Sequence, residues 1–207
     1  YPHVGGVETH VMKLSEALIN KGVEVSVVCT DPTKTLLPCE NFGKLRVHRV
    51  PSIAPGDAFF LSPKLKGFLE SMECDVMHVH SFHSLTSFTA SSARFEGKFV
   101  FTPHYHGTGH TPLRKILFRI YRSLGKRIFK RADHIISVSR FEARMLTTHF
   151  KIPSSKLSII PNGVDKIGSS AERDRKTILY VGRLEKYKGV QYLLELLRNA
   201  NEFILEI

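Results

Sequence analysis

Apolar residues recur along the chain with two alternating periods. From Thr9 to Asn20 they fall at Val11, Leu14, Leu18 and Ile19, the spacing that turns one face of a helix toward a core. Gly22 closes the segment, as glycine commonly does just past a helix end. Val23 to Cys29 is short and β-branched and reads as a strand, and Leu45 to Val50 as another, alternating apolar with basic. Pro63 to Glu73 predicts a helix, Asp75 to His80 a strand ending in polar residues, and Ser84 to Phe95 a buried helix. Lys98 to Thr102 is a strand stopped by Pro103, Leu113 to Ala132 a long helix, and His134 to Val138 a strand. Ser139 with Glu142 three residues on is a capping box, so a helix is predicted from Arg140 to Phe150. Leu157 to Ile160 is a strand and Pro161-Asn162-Gly163 a turn.

Such alternation predicts an α/β fold, a Rossmann-like parallel sheet with helices on both faces. Residues 166–176 are polar, with no apolar period from Ile167 to Lys176, and read as a linker between a domain at 1–165 and a second segment at 177–207. That segment holds a strand at Thr177 to Val181, a helix at Gly189 to Leu197 and a strand beginning at Phe203. One βαβ unit is too little for an independent core, so it reads as the opening of a second, truncated Rossmann-like domain.

Composition narrows the partners. The 207 residues suit one domain and part of another at about 150 residues each. With 42% apolar and 24% charged residues, the chain is ordinary for a globular protein. No run of about eighteen apolar residues occurs, and no basic-then-apolar leader; the start at Tyr1, without Met, suggests a fragment or processed product. Cys29, Cys39 and Cys74 lack CxxC spacing, which predicts small buried thiols and a reducing, cytoplasmic compartment. A net charge of +11 favours anionic partners. Nucleic acid is not among them: the aromatics sit inside apolar runs, Trp is absent, and no recognition module is present.

In open α/β sheets ligands bind beyond the carboxyl ends of the strands. Gly5-Gly6, just before the first helix, lets backbone approach a ligand whose phosphate would meet free N–H groups at the helix start; a plain tight turn is the alternative. His78 and His80 end one strand, His104 and His106 follow another, and His83 and His110 lie nearby. They suit catalysis or substrate contact; metal ligation stays an alternative, although no HExxH or Cys/carboxylate zinc spacing joins them. Arg183 ends a strand and Lys188 opens a helix, a pair able to clamp a diphosphate or simply a solvated basic loop. Leu113 to Arg131 carries Arg114, Lys115, Arg119, Arg122, Lys126, Arg127, Lys130 and Arg131 and no acid. Its apolar stripe would dock on the sheet, leaving the basic face to solvent or to an anionic membrane.

These blocks are familiar in their order. GGVETHVMKLSEALINKGVEVSVV, DVMHVHS, FTPHYHG, ADHIISVSRFEARML, IIPNGVD and YVGRLEKYKG resemble successive motifs of family 4 glycosyltransferases, retaining enzymes of the GT-B fold. The resemblance implies two Rossmann-like domains, the first mainly holding the acceptor and the second the nucleotide-sugar donor. It implies a donor- or phosphate-binding role for Gly5, Gly6, Arg183 and Lys188, a catalytic role for His104 near the reacting sugar, and acceptor contacts for His10, His80 and His106. Cations placed where charge develops on the departing diphosphate lower the barrier. The absence of a DxD motif agrees with transfer that needs neither metal nor cofactor, the nucleotide sugar being a co-substrate. The family normally has a strand before the glycine loop, where this chain has Tyr1-Pro2-His3-Val4, and its E-x7-E carboxylates would lie beyond Ile207. The implied acceptor is a glycan or lipid, with peripheral contact at the inner membrane face. The rival readings are a nucleotide-sugar epimerase of the same fold, a non-catalytic sugar- or phosphate-binding domain, and a metal-dependent hydrolase built on the histidines.

Overall fold

A computed structural model describes residues 5–54, 60–107, 122–123, 125–164, 176–182, 184–198, 200 and 202–207. The chain divides into two compact units, Tyr1–Gly163 and Val164–Ile207.

The first unit opens with α1 (Gly6–Asn20), entered from an extended Gly5 with φ −140°. The helix ends where Gly22 takes φ +84° and the N–H groups of Gly22 and Val23 turn back to the carbonyls of Ile19 and Leu18. This closure satisfies carbonyls the helix leaves free, and it needs the left-handed conformation glycine adopts without cost. β1 (Ser26–Asp31) then pairs in parallel with β3 (Leu45–Pro51).

The expectation of a parallel sheet needs one correction. β2 (Cys39–Phe42) pairs antiparallel with β3, with Phe42 opposite Leu45, so Gly43 and Lys44 form a two-residue hairpin. Gly43 has φ +60°, the positive value that the first residue of such a turn demands. Arg49 on β3 is buried and is held by Glu40 of β2 at 2.8 Å and by the carbonyl of Leu37 at 3.1 Å.

The second sheet is wholly parallel, in the order β4 (Val76–His80), β5 (Lys98–Thr102), β6 (His134–Ser137), β7 (Leu157–Ile159). It is accompanied by α2 (Leu65–Glu70), α3 (Leu85–Ser91), helical residues 125–131 (α4) and α5 (Arg140–Phe150). Phe82, Phe99, Phe101, Ile128, Ile135 and Leu146 are fully buried and form one core. The α4 backbone approaches closely because residue 125 is glycine: a Cβ there would strike the Phe82 ring. Ile128 and Phe129 of α4 face that core, while Lys126, Arg127 and Lys130 are exposed. Leu113 to Tyr121, the start of the basic stretch, lies outside the described residues.

Among the described residues no strand joins the two sheets. β1 pairs only with β3, and β4 only with β5, so each keeps an edge without a strand partner. A cavity of about 870 Å³ lies there, lined by Val11, Leu14 and Leu18 of α1, Val27 and Val28 of β1, and Val76 and Val79 of β4. The apolar stripe of α1 therefore faces this cavity and is only half-buried. All three cysteines are free, as expected, but they are less buried than expected: Cys39 is exposed, and Cys29 and Cys74 are half-buried.

The second unit holds β8 (Thr177–Leu179) parallel to β9 (Ile204–Glu206), with α6 (Val190–Leu197) between them in the chain. Most of the expected linker, 165–175, lies outside the described residues.

Candidate functional site

The C-terminal ends of β4 and β5 carry the features that stand out chemically. Both strands end in an unusual backbone: Ser81 has φ +73° and His104 φ +48°. Non-glycine residues in this region cost about 1–3 kcal/mol each and gather at functional sites. The surrounding hydrogen bonds enforce it. Ser81 N–H donates to the Thr102 carbonyl at 3.0 Å, and Phe82 N–H to the Pro103 carbonyl at 2.6 Å. The buried Ser87 hydroxyl sits between the carbonyls of His80 and Ser81, at 2.9 and 2.6 Å.

Held this way, His80 and His104 face each other, and α1 adds His10, the fifth residue of that helix. Ring centroids lie 5.5 Å apart for His10–His80, 5.6 Å for His10–His104 and 5.7 Å for His80–His104. His80 Nδ1 is 3.4 Å from His104 Nε2. His78, two residues back on β4 and so on the same strand face, lies tilted against His80 with ring centroids 4.2 Å apart. Its Nε2 is engaged by the Thr102 hydroxyl at 2.8 Å.

Burial dominates the electrostatics of this group. It pushes His78 and His104 down to about 4, with neighbouring imidazoles adding to the effect. His80 is lowered to about 2 by the same causes, and burial also lowers His10. All four imidazoles are neutral at pH 7, able to accept one hydrogen bond and donate another. A group this acidic in its protonated form is a weak general base, because efficient proton transfer needs a pKa near the working pH. The arrangement suits hydrogen bonding to hydroxyl groups better than proton storage.

The loop bearing His104 is clamped from below by a carboxylate. Glu142, in the first turn of α5, is 2% exposed and accepts hydrogen bonds from Tyr105 N–H, from Val138 N–H at 2.7 Å and from the Ser137 hydroxyl at 3.2 Å. Burial raises its pKa, and these three donors pull the other way. The capping box is thus half as expected. Ser139 Oγ accepts from Glu142 N–H at 3.0 Å, but the Glu142 side chain reaches past the cap to Val138 and across to Tyr105. Tyr105 is buried against Phe82 and Phe150, and its hydroxyl meets His149 Nδ1 at 2.6 Å. Sequence reasoning named Glu142 only as a cap; its signal was an acid three residues inside a helix beside a buried strand end.

His106 does not join the trio. It is exposed and lies tilted against His83 with ring centroids 4.4 Å apart, because the left-handed turn at His104 ends the strand alternation. Gly5 and Gly6 open α1 without a side-chain cap. Neither needs a positive φ; a Cβ on Gly6 would meet nothing within 4 Å, whereas one on Gly5 would strike the Glu8 carboxylate, so the space over the helix start is open at Gly6 and shared with Glu8 at Gly5. Lys188 is exposed at the end of a 3-10 turn, Lys186–Lys188, before Gly189 at φ +81° and the start of α6. Arg183 and His110 lie outside the described residues.

The profile of Glycosyltransferase Family 4 matches residues 4–166. Among curated relatives, the chain is 25% identical over 210 residues to a GDP-mannose:cellobiosyl-diphosphopolyprenol alpha-mannosyltransferase of Xanthomonas campestris, covering 97% of this chain and 54% of that protein. It is 29% identical over 205 residues to a phosphatidyl-myo-inositol mannosyltransferase of Mycobacterium tuberculosis, covering 93% and 52%. The chain spans about half the length of the curated relatives it matches. Among solved structures, sucrose-phosphate synthase from Thermosynechococcus elongatus superposes with a TM-score of 0.73 at 18% identity, over 98% of this chain and 56% of that one. That likeness shows the fold, an α/β architecture of the GT-B type with a parallel sheet flanked by helices.

Proposed function

The chain belongs to Glycosyltransferase Family 4, and from that footing we propose that the whole protein moves a sugar from a nucleotide-sugar donor to an acceptor hydroxyl, with retention and without a catalytic metal. The observation that carries this reading is the convergence of His10, His80 and His104 at the carboxyl ends of β4 and β5, beside the start of α1. That is the edge at which open α/β sheets take ligands.

In this mechanism neutral His104 hydrogen-bonds a hydroxyl of the reacting sugar, and His10 and His80 hold the acceptor. The glycine-opened start of α1 offers its free N–H groups to a donor phosphate or to the acceptor. Arg183 and Lys188 neutralise the charge that develops on the diphosphate as the anomeric bond breaks. The protein works in the cytoplasm, and its acceptor is lipid-linked or a polysaccharide. The names of the two mannosyltransferase relatives, which include diphosphopolyprenol and phosphatidyl-myo-inositol, support a lipid-linked acceptor. So do the exposed Lys126, Arg127 and Lys130, which suit an anionic membrane face. Among the described residues no helix is long and apolar enough to cross a membrane.

The test is a panel of nucleotide sugars offered to the full-length protein, with binding read by calorimetry and turnover by release of nucleoside diphosphate. Binding of one donor and its turnover with a lipid or glycan acceptor are expected; no donor binding across the panel overturns the reading. Co-sedimentation with liposomes that rises with anionic lipid is expected for the membrane contact, and indifference to anionic lipid removes it.

A further inference from the structure

We propose that His10, His80 and His104 form a binding site for a divalent transition-metal ion of the zinc class, and that an ion bound there competes with substrate rather than assisting transfer. One nitrogen from each ring lies within 4.8 Å of the other two. A tetrahedral ion with metal–nitrogen bonds of about 2.0–2.1 Å sets its ligands about 3.3 Å apart. The His80 Nδ1 to His104 Nε2 separation of 3.4 Å already has that length. Only His10 must swing inward, and it sits on an adjacent helix with its ring half-exposed.

Two features mark this as a three-ligand site and not a loose group of histidines. His80 and His104 are held by backbone that the neighbouring strand ends fix, Ser81 and His104 both in the left-handed region. His78, tilted against His80, has its Nε2 engaged with Thr102 Oγ1 at 2.8 Å and is not among the imidazoles whose nitrogens converge. Three imidazoles leave one position open, the arrangement of zinc sites that take an exchangeable ligand. The donor set also selects the ion. It contains no oxygen, so it suits Zn²⁺, Co²⁺, Ni²⁺ or Cu²⁺ and not Mg²⁺ or Ca²⁺. An ion in this place ties α1 to the ends of β4 and β5 and occupies the space proposed for the sugar hydroxyls. The inhibitory part of the proposal rests on the transferase reading; the binding part does not.

The experiment uses the full-length protein after dialysis against a chelator. Co²⁺ is titrated in and followed by the visible absorption of tetrahedral cobalt, and Zn²⁺ affinity is read by competition with a chromophoric chelator. One ion per chain with tetrahedral cobalt bands is expected. Affinity should fall more than tenfold in each of His10→Ala and His80→Ala and stay unchanged in His106→Ala. His10→Gln is a second variant, milder for folding, and Zn²⁺ should raise the melting temperature of the wild type but of neither His10 variant. Equal Zn²⁺ affinity in wild type, His10→Ala and His10→Gln, or the absence of tetrahedral cobalt bands, overturns the proposal. These readouts need no turnover, so their failure leaves the transferase reading standing. Zn²⁺ that binds without inhibiting transfer removes only the competition.

Discussion

Replacing Glu142 by Gln should loosen the loop that carries His104, and the size of the effect follows from three hydrogen bonds. One carboxylate oxygen accepts from Tyr105 N–H and the other from Val138 N–H and the Ser137 hydroxyl. Glutamine has nearly the same shape but one acceptor oxygen and one NH₂ group. Whichever way the amide turns, one backbone N–H then faces a donor. The loss is a charge-assisted bond, about 1.5–3 kcal/mol, and a buried N–H left unpaired, about 1–3 kcal/mol. Relief of burying a charge, visible in the raised pKa of Glu142, offsets part of this. The expected net destabilisation is about 2–4 kcal/mol, or a fall in Tm of roughly 5–15 °C for a chain of this size. Urea unfolding followed by circular dichroism measures the first and a thermal melt the second. A change below about 0.5 kcal/mol would refute the reasoning, since a surface substitution does as much.

Leu146, fully buried on α5, should cost about 2–5 kcal/mol when cut to Ala, read by the same urea titration. Ser81→Gly should stabilise by about 0.5–1 kcal/mol, because glycine takes φ +73° without strain; a melt no higher than wild type would show the strain to be absent. Stability should fall as pH drops from about 6.5 toward 4. His78, His83 and His104 are lowered to about 4 and His80 further, so the unfolded chain binds protons in that window that the fold excludes. Each adds up to about 1.4 kcal/mol per pH unit to the slope, and urea midpoints at four pH values would reveal it.

Much of the architecture was legible because each strand and helix buries a face, and burial writes its period into the sequence. β5 at Lys98–Thr102 and α5 at Arg140–Phe150 were read at their observed bounds. β2 was not, because Cys-Glu-Asn-Phe is short and half-exposed and carries no alternation strong enough to notice. Its one signal was Gly43, whose positive φ makes the hairpin. The site was legible in part. Strand ends are where ligands go, which singled out His80 and His104, but the same rule named His106, which lies against His83 instead. The alternation holds only while the backbone stays extended, and it stops at His104. Glu142 was hidden for a different reason: its partner Tyr105, 37 residues earlier in the chain, is brought to it by tertiary packing, which periodicity does not encode.

The most direct test of the account is His104→Ala in the full-length protein, with donor binding and sugar transfer measured side by side. Transfer should fall by at least about a hundredfold, the effect of removing one hydrogen bond made to a developing transition state, while donor affinity stays near the wild-type value. A variant that transfers sugar at the wild-type rate would contradict the claim that the ends of β4 and β5 form the reacting site.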